Sequence, residues 1–257
     1  MARIISIHSF RGGTGKSNTS ANLATLIASK GYRVGVVDTD IQSPGIHVIF
    51  GKSADDFTRS LNDYLWQKCS IQDAAYDVTS SAIGKADPNT DRPKLFLIPA
   101  SLKTGEIARI LREGYDVAKL NDGFQELISG LKLDFLLIDT HPGVNEETLL
   151  SIAISDHFLL VLRPDKQDFQ GTSVTVELAR KLGVERISVM LNKVPTSLEK
   201  ALLKEQVEHG YKAEVIGMLP LCSEMAELAS SGLFVNRFPT HPLSEILKAV
   251  AEKLIAF

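Results

Sequence analysis

The densest chemistry in this chain lies near its beginning, in Phe10-Arg11-Gly12-Gly13-Thr14-Gly15-Lys16-Ser17. Gly12, Gly13 and Gly15 let the backbone bend until consecutive N–H groups point at one anion, with no Cβ in the way. The run 3–8 before them reads as a strand and 17–30 after them as a helix, so the positive end of that helix faces the same anion. The Gly-Lys-Ser ending marks a nucleotide phosphate-binding loop, in a variant form because Phe10 stands where the common pattern has its first glycine. Lys16 is expected at the solvent edge, contacting β- and γ-phosphates, with the Ser17 hydroxyl on Mg²⁺ and Thr14 and Asn18 beside the same phosphates.

Two further strands deliver acids. The run 33–38 ends in Val36-Val37-Asp38-Thr39-Asp40, and Phe135-Leu136-Leu137-Ile138 leads into Asp139-Thr140-His141-Pro142-Gly143. A carboxylate at the C-terminal edge of a strand beside a phosphate loop is placed to hold Mg²⁺ or to orient an attacking water. Asp139 is the expected metal acid, and Gly143 is placed to offer its N–H to a γ-phosphate. His141 is read as a loop residue without chemistry of its own.

Arg11-Gly12-Gly13-Thr14-Gly15-Lys16-Ser17 resembles the deviant Walker A motif K-G-G-x-G-K-[ST] of the MinD/ParA/Mrp/nitrogenase-iron-protein superfamily. The resemblance continues through Asp38-x-Asp40 (switch I), Asp139 to Gly143 (switch II), Arg163-Pro164-Asp165, Asn192 at a strand end and Gly217-Met218-Leu219-Pro220, so it covers nearly the whole chain. It implies ATP and Mg²⁺ as ligands, Asp38 near the metal, Asp40 in hydrolysis, and Asn192 and Pro220 around adenine, whose edge an amide suits. It also implies an ATP-sandwiched homodimer in which the first motif residue reaches the partner's nucleotide. Here that residue is Arg11 instead of lysine, which keeps the charge and changes the geometry. The iron-protein and Mrp branches need cysteine arrangements that Cys69 and Cys222 do not make, which leaves the positioning branch.

The elements needed to hold these residues follow from the hydrophobic pattern. Short apolar runs at 3–8, 33–38, 94–98, 134–139, 157–162, 186–191 and 213–217 alternate with helical periodicity at 17–30, 167–182 and 199–208. That rhythm predicts a doubly wound α/β fold with a mostly parallel sheet flanked by helices. A single domain over 1–257 accounts for it, with 69–93, rich in turn residues, as a loop-rich insertion and 242–257 as a C-terminal amphipathic helix. The chain has 257 residues, 44% hydrophobic and 23% charged, with a net charge of −3, so a surface built mainly for polyanions is excluded. No run reaches the ~20 apolar residues of a membrane span, and no secretion signal is visible, which points to the cytoplasm, with peripheral attachment to membrane or nucleoid left open. The two thiols read as isolated and buried.

The surface that such a protein would use is not fixed by these patterns. Helix 242–257 puts Leu243, Leu247, Val250, Leu254 and Phe257 on one stripe, but Lys248 and Lys253 are balanced by Glu245 and Glu252, so packing against the domain is favoured over a membrane. Arg180, Lys181, Arg186, Lys193, Lys200 and Lys204 are candidates for a DNA-facing patch. The expected function is a slow, partner-stimulated ATPase that dimerises with ATP and positions or partitions a cargo. The alternative is an ATP-binding scaffold or regulator that hydrolyses little.

Overall fold

A computed structural model describes residues 2–84 and 92–257. The strands are β1 (Arg3–His8), β2 (Arg33–Asp38), β3 (Tyr76–Asp77), β4 (Lys94–Ile98), β5 (Phe135–Asp139), β6 (His157–Leu162), β7 (Ile187–Val194) and β8 (Glu214–Pro220). They form one sheet in the order β3-β4-β2-β5-β1-β6-β7-β8, parallel throughout except for the antiparallel β3–β4 pair. Helices α1 (Lys16–Ser29), α2 (Ile46–Ile49), α3 (Leu61–Leu65), α4 (Thr79–Ile83), α5 (Thr104–Glu113) and α6 (Ala118–Gly130) belong to the first half of the chain. Helices α7 (Glu146–Ala153), α8 (Lys166–Lys181), α9 (Lys200–Tyr211), α10 (Ser223–Leu228), α11 (Phe234–Arg237) and α12 (Pro242–Ala256) follow.

The strands are apolar on both sides because helices cover both faces. Ile5 and Ile7 of β1 join Leu23, Ile27, Leu247 and Val250 on one face, whereas Ile4 joins Leu120, Phe124 and Leu136 on the other. Ser6 and His8, which interrupt the apolar run of β1, are buried on that second face with partners. Ser6 Oγ donates to the Ser151 carbonyl at 2.9 Å, and His8 Nδ1 lies 2.7 Å from Thr140 Oγ1. Burial, with the Lys16 cation nearby, holds the His8 imidazole down to about 3, so it is neutral.

Each expected strand and helix is present within a few residues of its anticipated ends. The stretch 69–93 departs from expectation, since it contains α4 and the short strand β3, which pairs with β4 through Tyr76↔Leu97 and Asp77↔Phe96. Its Asp87-Pro88-Asn89 and Asp91 lie outside the described residues. Helix α12 starts with Pro242 at its first turn and buries Leu243, Leu247, Val250 and Leu254 against α1 and β8. Each of those side chains contributes ~2 kcal/mol by leaving water, so release of α12 to a membrane would forfeit a packed face.

Candidate functional site

Parallel strand order sets the site. The loops after β1, β2 and β5 all leave the same edge of the sheet, and β5 sits between the other two, so register brings Asp38 directly opposite Asp139. Both carboxylates are buried. Asp38 accepts the backbone N–H of Asp40 at 3.0 Å and of Gly45 at 3.2 Å. Burial first, and then the facing Asp139 carboxylate, push the Asp38 acid up to about 8.

Lys16 is the cation between these acids, and it corrects one expectation. Rather than lying at the solvent edge, it is only 6% exposed and its Nζ donates to Asp139 Oδ1 at 2.9 Å. Ser20, one helical turn beyond Lys16 on α1, donates its hydroxyl to the same oxygen at 2.7 Å. Sequence reasoning passed over Ser20, although the i, i+4 spacing from Lys16 puts both on one face of α1.

The glycine loop opens onto a cavity of about 270 Å³ lined by Gly12 to Asn18, Asp40, Gly45 and Pro142. A Cβ at Gly12 or Gly13 would meet nothing within 4 Å, so the loop's concave side is open space. Thr14 Oγ1, Asn18 Oδ1 and Asp139 Oδ2 are buried polar atoms without a partner. Buried orphans of this kind cost ~1–3 kcal/mol each unless a ligand satisfies them. Gly143 is left-handed at φ 85°, and its N–H donates to the Ser9 carbonyl at 3.2 Å, so reaching a phosphate requires releasing Ser9.

A second cavity, of about 310 Å³, adjoins the first through Gly15, Asn18 and Ser230 and is walled by Asn192, Pro220, Met225, Leu243 and Leu247. Asn192 and Pro220 thus stand together at the end of the cleft opposite the acids. The Asn192 amide donates to the Thr14 carbonyl at 2.8 Å, and Lys193 Nζ donates to the Gly13 carbonyl at 2.9 Å. Strand β7 therefore braces the phosphate loop directly.

His141, read from sequence as a bare loop residue, has its Nδ1 2.7 Å from Asp40 Oδ1, and Asp40 also accepts the Ser43 N–H at 3.1 Å. This contact joins the loops after β2 and β5, a pairing that no local pattern reveals. Arg11, 39% exposed, turns its guanidinium to Asp165 at 3.5 Å and Asp168 at 3.6 Å, at the start of α8. Asp165 caps that helix, accepting the N–H groups of Gln167 and Asp168. Phe10, the departure from the common loop pattern, lays its ring on Gly171 of the same helix, where a Cβ would come within 1.9 Å of it.

Other expectations resolve outside the cleft. Two of the six basic residues considered as a DNA-facing patch lie far apart. Arg186 packs on the Phe257 ring just before β7, while Lys193 reaches Gly13 near the other end of that strand, roughly 20 Å away along an extended chain. Arg180 donates to the Lys212 carbonyl, and Lys181 pairs with Glu177. Cys69 and Cys222 are half-buried and reduced, not fully buried. No helix among the described residues is long and apolar enough to cross a membrane.

A variant glycine loop between β1 and α1, two strand-end acids in register and an adjoining, mainly apolar cavity define a P-loop nucleotide-binding fold of the deviant Walker A type. The model of the CobQ/CobB/MinD/ParA nucleotide binding domain matches residues 5–235. The chain belongs to that family. It is 28% identical over 256 residues to an uncharacterized ATP-binding protein of Methanocaldococcus jannaschii, covering 99% of this chain and 88% of the relative. It is 25% identical over 257 residues to an iron-sulfur cluster carrier protein of Aquifex aeolicus, covering 96% of this chain and 64% of the relative. The septum site-determining protein MinD of Pyrococcus horikoshii, solved with Mg-ADP, superimposes with a TM-score of 0.80 at 22% identity, covering 99% of this chain and 96% of that one.

Proposed function

We propose that this chain is an ATP-dependent switch: an ATPase whose ATP-bound form pairs with a second copy, hydrolyses slowly and positions or partitions a cargo. The observation that carries this reading is a cavity lined by the glycine loop, Lys16 and Asp40, with Asp38 and Asp139 in register behind Lys16, adjoining a second cavity walled by Asn192 and Pro220. Gly12, Gly13, Thr14, Gly15 and Asn18 would cradle the phosphates, and the unpartnered Thr14 hydroxyl can donate to a phosphate oxygen, while Asn18 Oδ1 can accept from a ligand hydroxyl or water. Ser17, Asp38 and Asp139 would hold Mg²⁺, since two acids in register with an unpartnered Oδ2 fit a hard divalent cation. Bound there, Mg²⁺ neutralises charge on the transferring phosphoryl group.

The chain's own residues do the rest. Lys16 moves from Asp139 to phosphate. Asp40, held by the Ser43 N–H and His141, lines the phosphate cavity and orients the attacking water. Gly143 exchanges the Ser9 carbonyl for a γ-phosphate oxygen and thereby reports whether that group is present. Arg11 leaves Asp165 and Asp168 for the partner's phosphates. A cytoplasmic protein fits this role, with a DNA or membrane surface and a stimulating protein as the remaining partners.

The relatives named as iron–sulfur carriers suggest a different cargo. The two cysteines, Cys69 and Cys222, make no Cys-x-x-Cys pair, so the switch reading is preferred. The test is ATP turnover with and without DNA or lipid vesicles, together with size-exclusion chromatography of wild type and Arg11→Ala with ATP. Wild type should turn over and dimerise, while Arg11→Ala should bind ATP nearly as well and remain monomeric, because its loop still supplies the contacts within one chain. ATP binding without measurable turnover would favour the scaffold alternative, and an Arg11→Ala dimer would refute the trans role of Arg11.

A further inference from the structure

Among the described residues, a cluster of metal-ligating side chains borders the second cavity and takes no part in the phosphate and Mg²⁺ assignments above. Cys222 stands at the N-terminal boundary of α10, two residues after β8, Glu224 occupies the first turn of that helix, and His241 caps α12. One ligand atom from each of the three lies within 4.8 Å of the other two, and all three side chains are half-buried. Cys222 Sγ donates to Glu224 Oε2 at 3.2 Å, while Ser223 Oγ donates to the same oxygen at 3.0 Å. The His241 ring is packed edge-on against Phe234, with centroids 5.2 Å apart.

We infer that Cys222, Glu224 and His241 form a binding site for a borderline-soft divalent cation of the zinc class. Tetrahedral zinc with its usual bond lengths of ~2.0–2.3 Å sets its ligand atoms ~3.5 Å apart, so the sulfur–carboxylate pair is already at ligand spacing and the imidazole has about 1 Å to close. A thiolate, a carboxylate and a neutral imidazole balance a dication, with water in the fourth position. The set also discriminates, because Mg²⁺ takes oxygen donors and avoids sulfur, whereas zinc accepts all three types. The cleft's acids and this cluster therefore suit different metals.

In the metal-free protein the Cys222 thiol proton is shared with Glu224 Oε2. A metal would take the place of the proton that now lies between sulfur and carboxylate, forming a metal–sulfur bond and releasing one proton to solvent. His241 has its own adjustment to make. Its Nδ1 accepts the Leu243 N–H at 3.1 Å, so coordination by Nδ1, or by Nε2 with the proton moved to Nδ1, gives up that cap.

The location gives such a metal a consequence. Cys222 and Met225 belong to one wall of the base cavity, and Leu243 and Leu247, just beyond His241, belong to another. A metal joining Cys222 and Glu224 to His241 would tie those two walls together, independently of any nucleotide.

The test uses the full chain. Zn²⁺ is titrated in competition with a chromophoric chelator, and Co²⁺ is added separately to look for the thiolate-to-cobalt charge-transfer band. The variants are Cys222→Ser, His241→Asn and, as a control, Cys69→Ser; asparagine preserves a helix cap while removing the imidazole. Wild type and Cys69→Ser should bind one Zn²⁺ with release of one proton and show the cobalt band. Cys222→Ser should lose the band, and both site variants should bind Zn²⁺ at least ~100-fold more weakly, a loss no smaller than that caused by removing a supporting partner. No band in wild type, a band that survives Cys222→Ser, or wild-type zinc affinity in His241→Asn would each overturn the site.

Discussion

Replacing Gly171 by alanine should destabilise this protein, although alanine is the better helix former. A helical glycine costs ~1 kcal/mol relative to alanine, so propensity alone predicts a gain. The Phe10 ring decides otherwise. A Cβ on Gly171 would lie 1.9 Å from Phe10 Cδ1, 2.2 Å from Cγ and 2.4 Å from Cε1. Carbon atoms settle ~3.5–4.0 Å apart, so the ring must move by more than about 1.5 Å. Forced insertions of this kind cost ~1–3 kcal/mol and sometimes more, which leaves a net loss of up to ~2 kcal/mol. At 257 residues that corresponds to a Tm lower by up to about 8 °C. Because Phe10 leads straight into Arg11 and Gly12, the displaced ring should also weaken nucleotide binding several-fold. Gly210→Ala in α9 is the matched control, since that glycine is exposed and a Cβ there meets nothing within 4 Å. It should raise stability by ~0.5–1 kcal/mol. Thermal unfolding and nucleotide titration of both variants, and of Phe10→Leu combined with Gly171→Ala, provide the assay. Equal stabilisation by the two alanines would refute the account of the Phe10–Gly171 contact.

Lys16→Ala should abolish ATP binding and also lower the stability of the nucleotide-free protein, because it strips the buried Asp139 carboxylate of its cation beside Asp38, a loss on the order of 3 kcal/mol. Urea unfolding checks this, and an unchanged midpoint would show that Lys16 contributes nothing before nucleotide arrives. The third prediction concerns acid. Burial, with Arg186 adding to it, lowers the His157 imidazole to about 4, so between its ordinary value and about 4 the unfolded chain takes up a proton that the folded chain refuses. Stability should therefore fall as the pH drops through that window, by on the order of 2 kcal/mol at pH 5 relative to pH 7. In His157→Gln, where glutamine can still meet the Ser188 hydroxyl, the difference between the two pH values should shrink by that amount; an unaltered difference would place the proton elsewhere.

The parts of this molecule that are legible in its sequence are those with local causes. Hydrophobic period placed β1, β2 and β4 to β8, and the glycine loop announced itself through residue types that only a close approach to an anion requires. Strand ends fixed where Asp38, Asp139 and Asn192 emerge. The contacts that read poorly are set by strand order. His141 meets Asp40 because β5 lies beside β2, and 101 residues separate them in the chain. Arg11 meets Asp165 and Asp168 because α8 begins over the phosphate loop, and Cys222 meets His241 only once α12 has packed. The short β3 was hidden for another reason. A two-residue pair at a sheet edge has too few positions for any period to show.

The strand order also separates two inheritances. The carboxylate end of the cleft hangs from β2 and β5, on one side of β1, and the base end hangs from β7 and β8, on the other. The two cavities share only Gly15, Asn18 and Ser230. A substitution in the β8–α10 loop that reshapes the base cavity leaves Asp38 and Asp139 facing each other, and a change between β5 and α7 leaves the base walls in place. Within one lineage, the β2–β5 side and the β7–β8 side can therefore drift at different rates, with the glycine loop as the common hinge that neither half is free to alter alone.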